Sequence, residues 1–257
     1  TAVTTPTNDN TPNYTFSSDE AGSIAFEGPC SSSTKSAYSG DNTITLSPLS
    51  DGTYSNCAIT VTDKVPNNFY QEPNFHYDPI PYSEDLLING YLQSPKYFEH
   101  NADAVRKLFT FPDNVRDKVN KAINKVRESG KPIVGVHVRR GDYLMNPQIH
   151  PTCTVEYYKD AINDFGDCIS IVCTDTPQWV KEHLCNDNVI LSNSTDELED
   201  LYLLTQCDNV ILSNSTFAWW GAWLNENSPS VVAPEVWFGP EGPQDYYDIY
   251  CDDWYKR

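Results

Sequence analysis

The sequence predicts an α/β fold, a parallel sheet flanked by helices, which follows a small all-β sandwich. Apolar and polar residues alternate up to about residue 63, and prolines cluster in the stretch after it. From there on, helical and strand periods alternate, as expected for a parallel sheet with crossover helices. We therefore divide the chain into an all-β segment at 1–64, a linker at 65–82 and an α/β domain at 83–257.

Composition limits the class of partner. The 257 residues are 39% hydrophobic, which is enough for a sizeable core. The sequence contains no apolar run of about 18 residues, so no integral membrane segment is predicted. With 17 basic and 36 acidic residues, the net charge is −19. Such a surface repels nucleic-acid phosphates and anionic lipid, so we expect neither as a partner. The eight cysteines form no CxxC pair and no Cys/His cluster at zinc spacing, so we predict no metal site.

The first segment is predicted to consist of short antiparallel strands. Its apolar pairs alternate with polar residues and are separated by turn signals such as 20–22, 39–41 and 50–52. The run from Phe16 to Asp63 resembles bacterial Ig-like repeats, which implies a spacer or adhesive module without catalytic residues. Cys30 and Cys57 could form a disulfide, which would indicate an oxidising compartment. The apolar pairs are Tyr14 and Phe16, Ile24 and Phe26, Ile44 and Leu46, and Ile59 and Val61.

Four prolines, Pro66, Pro73, Pro79 and Pro81, interrupt any helix in the next stretch and hold it extended, which predicts a linker. Beyond it, the periodicity predicts strands and helices in alternation. The strands are 133–138, 168–173, 189–191, 209–212 and 230–233, the last of which closes the sheet. The residues expected to cap the helices between them are Asp113, Thr154, Thr176, Thr195 and Ser215 or Thr216, and Gly130 and Gly166 are expected to end two of them.

Polar side chains follow three of these strands where each one ends. In an open parallel sheet, ligands bind beyond the carboxyl ends of the strands. Paired guanidinium groups beside a hydroxyl-rich helix N-terminus suit a diphosphate, because both offer hydrogen-bond donors and positive charge. The alternative is that one arginine pairs with Asp142 or Asp175 and stiffens the loop. The residues at the three strand ends are Arg139, Arg140, Gly141, Asp142 and Tyr143; Thr174 and Asp175; and Ser213, Asn214, Ser215, Thr216 and Phe217.

Basic residues are unevenly distributed. Ten of the 17 lie between Arg106 and Arg140, so an anionic small ligand is expected near this block. Five of the ten fit the solvated face of one helix and need have no further role. These five are Arg116, Lys118, Lys121, Lys125 and Arg127.

Three ordered motifs resemble one enzyme family. GVHVRRGDY at 135–143 resembles the HxRRxD signature of α1,2- and α1,6-fucosyltransferases. CDNVILSNSTFAWWGAWLN at 207–225 resembles the closing motif of glycosyltransferase family 11, the galactoside α1,2-fucosyltransferases. INGYLQSPKYF at 88–98 resembles the segment that precedes the donor domain in that family. Together the motifs extend the resemblance over about residues 75–238.

The resemblance implies a Rossmann-like donor half of a GT-B-type glycosyltransferase, which binds GDP-fucose without a metal or other cofactor. It assigns Arg139 and Arg140 to the pyrophosphate and places His137 near the nucleotide. LEDLYLLTQCD resembles the α1,6-fucosyltransferase segment whose acidic residue reads guanine, which assigns Asp200 to that role; an exposed acidic helix face is the alternative. The remaining donor-binding residues expected at the strand ends are Asp175, Asn214, Ser215, Thr216 and Phe217.

The activity implied is inverting transfer of fucose to the 2-hydroxyl of a terminal galactoside on an oligosaccharide acceptor. Arg139 is the expected catalytic residue, since it would stabilise the leaving GDP. Asp142 is a candidate general base by proximity alone, or it orients Arg139. Two other hypotheses stay open: a non-catalytic surface or adhesion module with a degenerate donor domain, and a fucosyltransferase for another glycan acceptor.

The N-terminal segment departs from the family pattern. Members of family 11 begin with a strand and a glycine-rich turn of the type GGLGNQMFQ, and we find no such motif in 1–64. We therefore expect a natural chimera, a truncated product, or a chain that relies on a partner chain for the missing half. The location of the protein in the cell stays open. A complete transferase would be cytoplasmic or membrane-associated, whereas the Ig-like segment would indicate an extracellular location.

Overall fold

A computed structural model describes residues 9–19, 21–63, 68–227 and 229–257. The chain forms two compact units, one comprising Thr1–Tyr70 and Tyr82–Ile88 and the other Gln71–Pro81 and Asn89–Arg257. Glu20 in a predicted turn and residues 65–67 of the predicted linker lie outside the described residues. Within the described residues, no helix combines the length and the apolar character that crossing a membrane requires.

The first unit contains two small antiparallel sheets. β1 (Asn13–Ser18) pairs with β4 (Gly40–Thr45), while β2 (Gly22–Glu27) pairs with both β3 (Ser36–Ala37) and β5 (Ala58–Asp63). The predicted short strands are thereby confirmed, because their alternating apolar side chains share one core. That core contains Ile24, Cys30, Ala37, Ile44 and Leu46.

A disulfide joins Cys30 and Cys57 in this unit, as the sequence suggested. The likeness of this segment to Ig-like repeats stays a prediction. A further two-stranded sheet pairs β6 (Asn68–Gln71) with β7 (Leu86–Asn89), so part of the expected linker forms a strand.

The second unit is built on a six-stranded sheet in which all neighbouring strands are parallel. Its order is β10-β9-β8-β11-β12-β13. In chain order this is 3-2-1-4-5-6, the order of the Rossmann fold, with its reversal between β8 and β11. β13 pairs beyond β12, so the expectation that 230–233 closes the sheet is wrong. The strands are β8 (Ile133–Val138), β9 (Ile169–Thr174), β10 (Val189–Leu191), β11 (Asn209–Ile211), β12 (Ser230–Ala233) and β13 (Tyr255–Lys256).

Helices cover both faces of this sheet. One core cluster combines residues of α2, α5 and α6 with one face of the sheet, and another combines α3 and α4 with the opposite face. β8 is fully buried, as its continuous apolar run predicts. The helices are α1 (Ala102–Leu108), α2 (Asp113–Arg127), α3 (Val155–Asp164), α4 (Pro177–His183), α5 (Glu197–Gln206) and α6 (Thr216–Trp223).

The helix ends confirm some of the expected caps and correct others. Thr154 caps α3 by accepting the Tyr157 N–H, and Gly130 and Gly166 adopt φ of 73° and 66° after α2 and α3. Asp113 lies inside α2, which starts after Pro112, because its carboxylate pairs with Arg116 instead. Asp196 rather than Thr195 caps α5, because its side chain accepts the Glu199 N–H. Thr176 and Ser215 occupy the cap positions of α4 and α6 without a side-chain cap hydrogen bond.

Candidate functional site

The reversal of strand order places two loops side by side. β8 and β11 are hydrogen-bonded neighbours, with Gly135 opposite Val210 and Val136 opposite Ile211. The chain leaves β8 through the arginines and a short 3-10 helix, Asp142–Met145, and leaves β11 through the serine-rich loop into α6. In this fold, the crevice between two such loops is where ligands bind. The structure therefore brings the predicted residues of both loops to one edge of the sheet.

A buried histidine joins the two loops. His137 Nδ1 lies 2.8 Å from Ser213 Oγ, and the imidazole is 6% exposed. Burial, helped by the nearby positive charge of Arg139, lowers the pKa of His137 from 6.5 to about 3. The imidazole is therefore neutral at physiological pH. Its ring centroid lies 5.3 Å from that of Phe217 in the first turn of α6. His137 thus supports the site from beneath and fixes its two halves.

Tyr143 makes a second link between the loops; the sequence analysis placed this residue at the end of the strand but gave it no role. Its hydroxyl donates to the Asn214 carbonyl at 3.0 Å, and its ring stacks on His150. Burial raises the pKa of the Tyr143 phenol, which stays protonated and able to donate. The Arg139 guanidinium lies 5.5 Å from the ring centroid. A tyrosine next to the RRGD segment was the only available signal.

Arg139 is held by two carboxylates. Its guanidinium lies 2.7 Å from Asp142 Oδ1 and 3.3 Å from Asp175 Oδ2, and 36% of its side chain is exposed. The sequence analysis considered such pairing for one arginine, and the structure shows that it involves Arg139 and both acids. Asp142 therefore contacts the guanidinium that it was expected to orient.

Arg140 has a different environment. Its guanidinium carbon lies 4.1 Å from the centroid of the Trp179 ring, and its backbone N–H donates to Asp175 Oδ1. Among the described residues, no carboxylate forms an ion pair with its side chain. A Cβ on Gly141 would lie 2.6 Å from Asp175 Oδ2, so the glycine allows Asp175 to approach this loop closely. The two arginines therefore point to different partners, although both emerge from the end of β8.

Asn214 supports the loop rather than presenting a free amide. Its side chain is 2% exposed, and Nδ2 donates to the carbonyls of Pro151 and Trp237 at 2.9 Å each. Its Oδ1 accepts a weak hydrogen bond from the Cys153 thiol. Burial raises the pKa of that thiol to about 11, so it remains protonated. The expectation that the Asn214 side chain contacts a donor is therefore not supported, because its donors are already in use.

The start of α6 provides the backbone donors of the site. The Ser215 N–H donates to the Ser213 carbonyl at 2.8 Å and is not available to a ligand. Thr216 and Phe217 are the first two residues of α6, where backbone N–H groups have no partner within the helix. Thr216 is exposed and Phe217 half-buried, so this end of the helix is accessible. Of the three predicted donors, Thr216 and Phe217 remain candidates.

Asp200 lies in the first turn of α5, beyond the end of β10 at the same edge of the sheet. Its Oδ1 accepts a hydrogen bond from Ser192 at 2.7 Å, and its side chain is half-buried. Its neighbour Glu199 is buried, contrary to the exposed acidic face considered from sequence. The Glu199 carboxylate receives Lys118 Nζ at 2.6 Å and the Thr195 N–H at 2.7 Å. The Lys118 side chain is 41% exposed, as the solvated helix face predicts, and its ammonium also joins α2 to α5.

Metal ligands are not clustered in the part of the chain that the structure describes: no three His, Cys, Asp or Glu side chains are placed to hold one ion. The groups gathered at the β8–β11 edge are instead cations, hydroxyls and backbone N–H donors. This combination can bind and stabilise an anion, which is the chemistry that a phosphate-containing ligand requires.

The known proteins that this chain resembles include glycosyltransferases. An Escherichia coli alpha-1,2-colitosyltransferase is 30% identical over 166 residues, which cover 59% of this chain and 56% of that protein. A galactoside alpha-(1,2)-fucosyltransferase 2 from Oryctolagus cuniculus is 28% identical over 203 residues, 68% of this chain and 56% of that protein. The chain thus spans about half the length of these relatives.

Among solved structures, the beta Kdo 2,7 transferase KpsC of Thermosulfurimonas dismutans is similar with a TM-score of 0.33 and 14% identity, over 69% of this chain and 64% of that one. The family match carries more weight. It extends over residues 42–256, beyond the predicted 75–238 at both ends, and includes β5 of the all-β unit. With most of its length matched, the chain belongs to glycosyl transferase family 11.

Proposed function

We propose that this glycosyltransferase takes fucose from GDP-fucose and transfers it to the 2-hydroxyl of a terminal galactoside, with inversion at the anomeric carbon. The observation that carries the proposal is the position of Arg139, Arg140 and the start of α6 at the reversal of strand order between β8 and β11. A sugar diphosphate bound there would meet two guanidinium groups and the free N–H groups of a helix N-terminus.

The carboxylates around Arg139 are compatible with this role. A guanidinium has five N–H donors, and the contacts with Asp142 and Asp175 each involve one terminal nitrogen. The remaining donors and the exposed third of the side chain are free to meet phosphate oxygens. Because two carboxylates hold the guanidinium before the ligand arrives, little side-chain entropy is lost when the donor binds. Asp142 and Asp175 are thus proposed as positioning residues.

Guanine recognition is assigned to Asp200. A carboxylate that accepts from the N1 and N2 donors of guanine distinguishes GDP from ADP, whose base offers a different pattern. Ser192 already occupies Oδ1 and would fix the orientation of the carboxylate toward the base. The proposed donor would then extend along the carboxyl edge from the β10 side, past β9, to the β8–β11 crevice.

In the proposed reaction, the acceptor hydroxyl attacks C1 of fucose as the bond between C1 and the β-phosphate oxygen breaks. The acceptor hydroxyl releases its proton to solvent as the new glycosidic bond forms, and GDP departs with the bonding electron pair. Negative charge therefore develops on the phosphate oxygens, where Arg139 and the N-terminus of α6 are expected to stabilise it. Oxocarbenium character develops on the sugar at the same time, as in other glycosyl transfers.

Two parts of this proposal are separable. The matched region covers 56% of the length of each of the two relatives described above. We therefore propose donor binding as a property of this chain and product formation as a property of the whole protein. The names of those relatives, a colitosyltransferase and a fucosyltransferase, support an α1,2 linkage and a deoxysugar donor. GDP binding therefore tests the site, and transfer to lactose tests the reaction.

The first prediction concerns Arg139. We expect GDP to raise the Tm of the 257-residue chain and Arg139→Gln to weaken GDP binding at least tenfold, because a charge-assisted hydrogen bond to an anion contributes about 1.5–3 kcal/mol. Thermal shift over a GDP titration measures this. Arg116→Gln is the matched control, since Arg116 lies on α2 and pairs with Asp113 of the same helix. If Arg139→Gln leaves the GDP affinity unchanged, Arg139 does not bind the diphosphate. If ADP binds as tightly as GDP does, Asp200 does not select guanine.

A further inference from the structure

A small aromatic cavity lies beside the start of α6. Its volume is about 250 Å³, below the roughly 300–1,000 Å³ typical of sites for drug-sized ligands. It therefore has room for one sugar ring rather than a nucleotide or an oligosaccharide. The cavity is lined by Tyr91, Leu92, Gln93, Ser94, Phe98, Thr216, Trp219, Trp220 and Ile249.

The cavity adjoins the proposed phosphate site through consecutive residues. Thr216, the first residue of α6, lines the cavity, while the next residue, Phe217, contacts the His137 ring that lies beneath the β8–β11 crevice. A group bound in the cavity would therefore lie within one helical turn of the N–H donors assigned to the diphosphate. This is the distance at which the sugar of a sugar diphosphate would be found.

The walls of the cavity are mostly flat aromatic surface. Phe98 stacks on Trp220 with ring centroids 5.3 Å apart, and meets Trp219 edge to face at 6.0 Å. Aromatic faces carry partial negative charge and attract the weakly positive C–H groups on the face of a sugar ring. Leu92 and Ile249 extend the apolar lining, which suits the C6 methyl group that distinguishes fucose from galactose.

One polar atom of a lining residue lacks a partner. Gln93 lines the cavity, and its Oε1 is buried without a hydrogen-bond partner among the described residues. A buried acceptor without a donor costs about 1–3 kcal/mol, so a rotation of the Gln93 side chain that brings Oε1 to a ligand hydroxyl in the cavity would recover that energy. The Thr216 hydroxyl is exposed and supplies a second hydrogen-bonding group. Ser94, in contrast, is already engaged, because its hydroxyl donates to the Asp248 carbonyl at 2.9 Å.

The loop that carries Gln93 is held in an uncommon conformation. Leu92 has φ of 49°, a left-handed value that is unfavourable for leucine. Glu72 maintains it by accepting the backbone N–H groups of Tyr91 and Leu92. A Cβ on Gly90 would lie 2.4 Å from the Glu72 side chain, so glycine is required for this approach. Such strain is concentrated at functional sites, and here it occurs next to Gln93 in the cavity lining.

We infer that this cavity binds the fucosyl ring of the donor, with Gln93 Oε1 and the Thr216 hydroxyl as hydrogen-bond partners and Trp219 and Trp220 as the apolar wall. The inference rests on the proposed function, since it places the sugar next to the diphosphate site. It assigns a binding role to the GYLQS segment at 90–94, for which the resemblance to the family indicated no ligand-binding residue.

The test compares GDP with GDP-fucose, because only the second ligand carries the ring. Gln93→Met removes the acceptor at similar volume, and Thr216→Val removes the hydroxyl but retains the backbone N–H that the diphosphate needs. We expect each variant to weaken GDP-fucose binding about tenfold while GDP affinity changes less than about twofold. Isothermal titration of the 257-residue chain with both ligands measures this. Gln178→Met on the exposed surface of α4 is the matched control.

The outcomes separate this inference from the proposed function. If the unaltered chain binds neither ligand, the proposed function fails. If it binds both and the two variants keep normal affinity for GDP-fucose, the sugar pocket is wrong while the diphosphate site stands. If the variants raise the KM for lactose alone, the cavity holds the acceptor and the assignment to the donor sugar is overturned.

Discussion

At the residue scale, the buried imidazole of His137 gives the site a pH dependence that can be measured. Its pKa in the folded protein is about 3, below the ordinary 6.5, so between these values the unfolded chain binds the extra proton. The free energy of unfolding must therefore fall as the pH falls. One proton of difference corresponds to about 1.4 kcal/mol per pH unit.

This predicts how a variant without the titrating group behaves. We expect the stability of the unaltered chain relative to His137→Asn to decrease by about 1.4 kcal/mol per unit between pH 6 and pH 4.5, because both proteins share all other titrating groups. Urea unfolding at several pH values gives the difference. His100→Asn, on a residue that is exposed, provides the control. A pH-independent difference for His137→Asn would mean that the imidazole is protonated without cost.

Residue roles differed in how far they could be predicted. Arg139 and Asp175 were identifiable because they stand where strands end, and strand ends follow from the periodicity of the sequence. His137 lies within β8 and was assigned only by the resemblance to the HxRRxD signature. Tyr143 also follows β8, but the roles of Tyr143 and Gln93 were not identifiable in this way. Their roles depend on contacts with Asn214 and with a cavity that forms only when distant segments pack. Local patterns contain no information about such contacts.

At the element scale, the start of α5 depends on one buried acid. Glu199 is 5% exposed, and its carboxylate joins Lys118 of α2 to the backbone of Thr195. The hydrogen bond from Lys118, followed by that from the Thr195 backbone, lowers the pKa of Glu199. Its stabilising effect is therefore present above the ordinary pKa of 4.5 and is lost as the pH falls below it.

We expect Glu199→Gln to lower the Tm at pH 7, because it weakens the charge-assisted hydrogen bonds from Lys118 and the Thr195 N–H. It should also weaken GDP binding, since Glu199 fixes the turn that carries Asp200. Thermal unfolding with and without GDP measures both effects. Glu197→Gln, which lies on the exposed surface of the same helix, is the matched control and should change neither. Equal Tm values for the two variants would show that the ion pair contributes nothing to stability.

Elements were predicted more reliably at their centres than at their ends. The apolar run of β8 predicted a strand and the helical period of α2 predicted a helix, and the structure confirms both. The cap of α5 was displaced by one residue because Asp196 accepts the backbone N–H, and the expected cap of α2 is absent because Asp113 pairs with Arg116. β13 was missed because a two-residue strand carries no periodicity, and only its pairing with β12 defines it.

At the scale of the whole molecule, the basic residues between Arg106 and Arg140 carry less unpaired positive charge than the sequence suggested. At least six of those ten cations form ion pairs with acids of the second unit, including Lys118, Arg127 and Arg139. In a chain of net charge −19, these pairs offset the cations locally. Attraction of a diphosphate therefore depends on the few donors at the β8–β11 edge rather than on a broad positive surface.

The two units have separate cores, so we expect them to respond separately to loss of the disulfide. The core of the first unit is small and includes Cys30, whereas both core clusters of the second unit lie far along the chain. Cys30 and Cys57 are 27 residues apart, and removing a link that closes a loop of this length costs about 3.5 kcal/mol by the chain-entropy relation.

The prediction is that Cys30→Ala/Cys57→Ala lowers the unfolding temperature of the first unit and leaves GDP affinity unchanged, because every residue assigned to the donor lies in the second unit. Calorimetry with and without GDP distinguishes the two transitions, since only the second should rise with the ligand. Cys185→Ala, a free and half-buried cysteine of the second unit, is the control and should leave the first transition in place. A loss of GDP binding in the double variant would show instead that the all-β unit is needed to maintain the donor site.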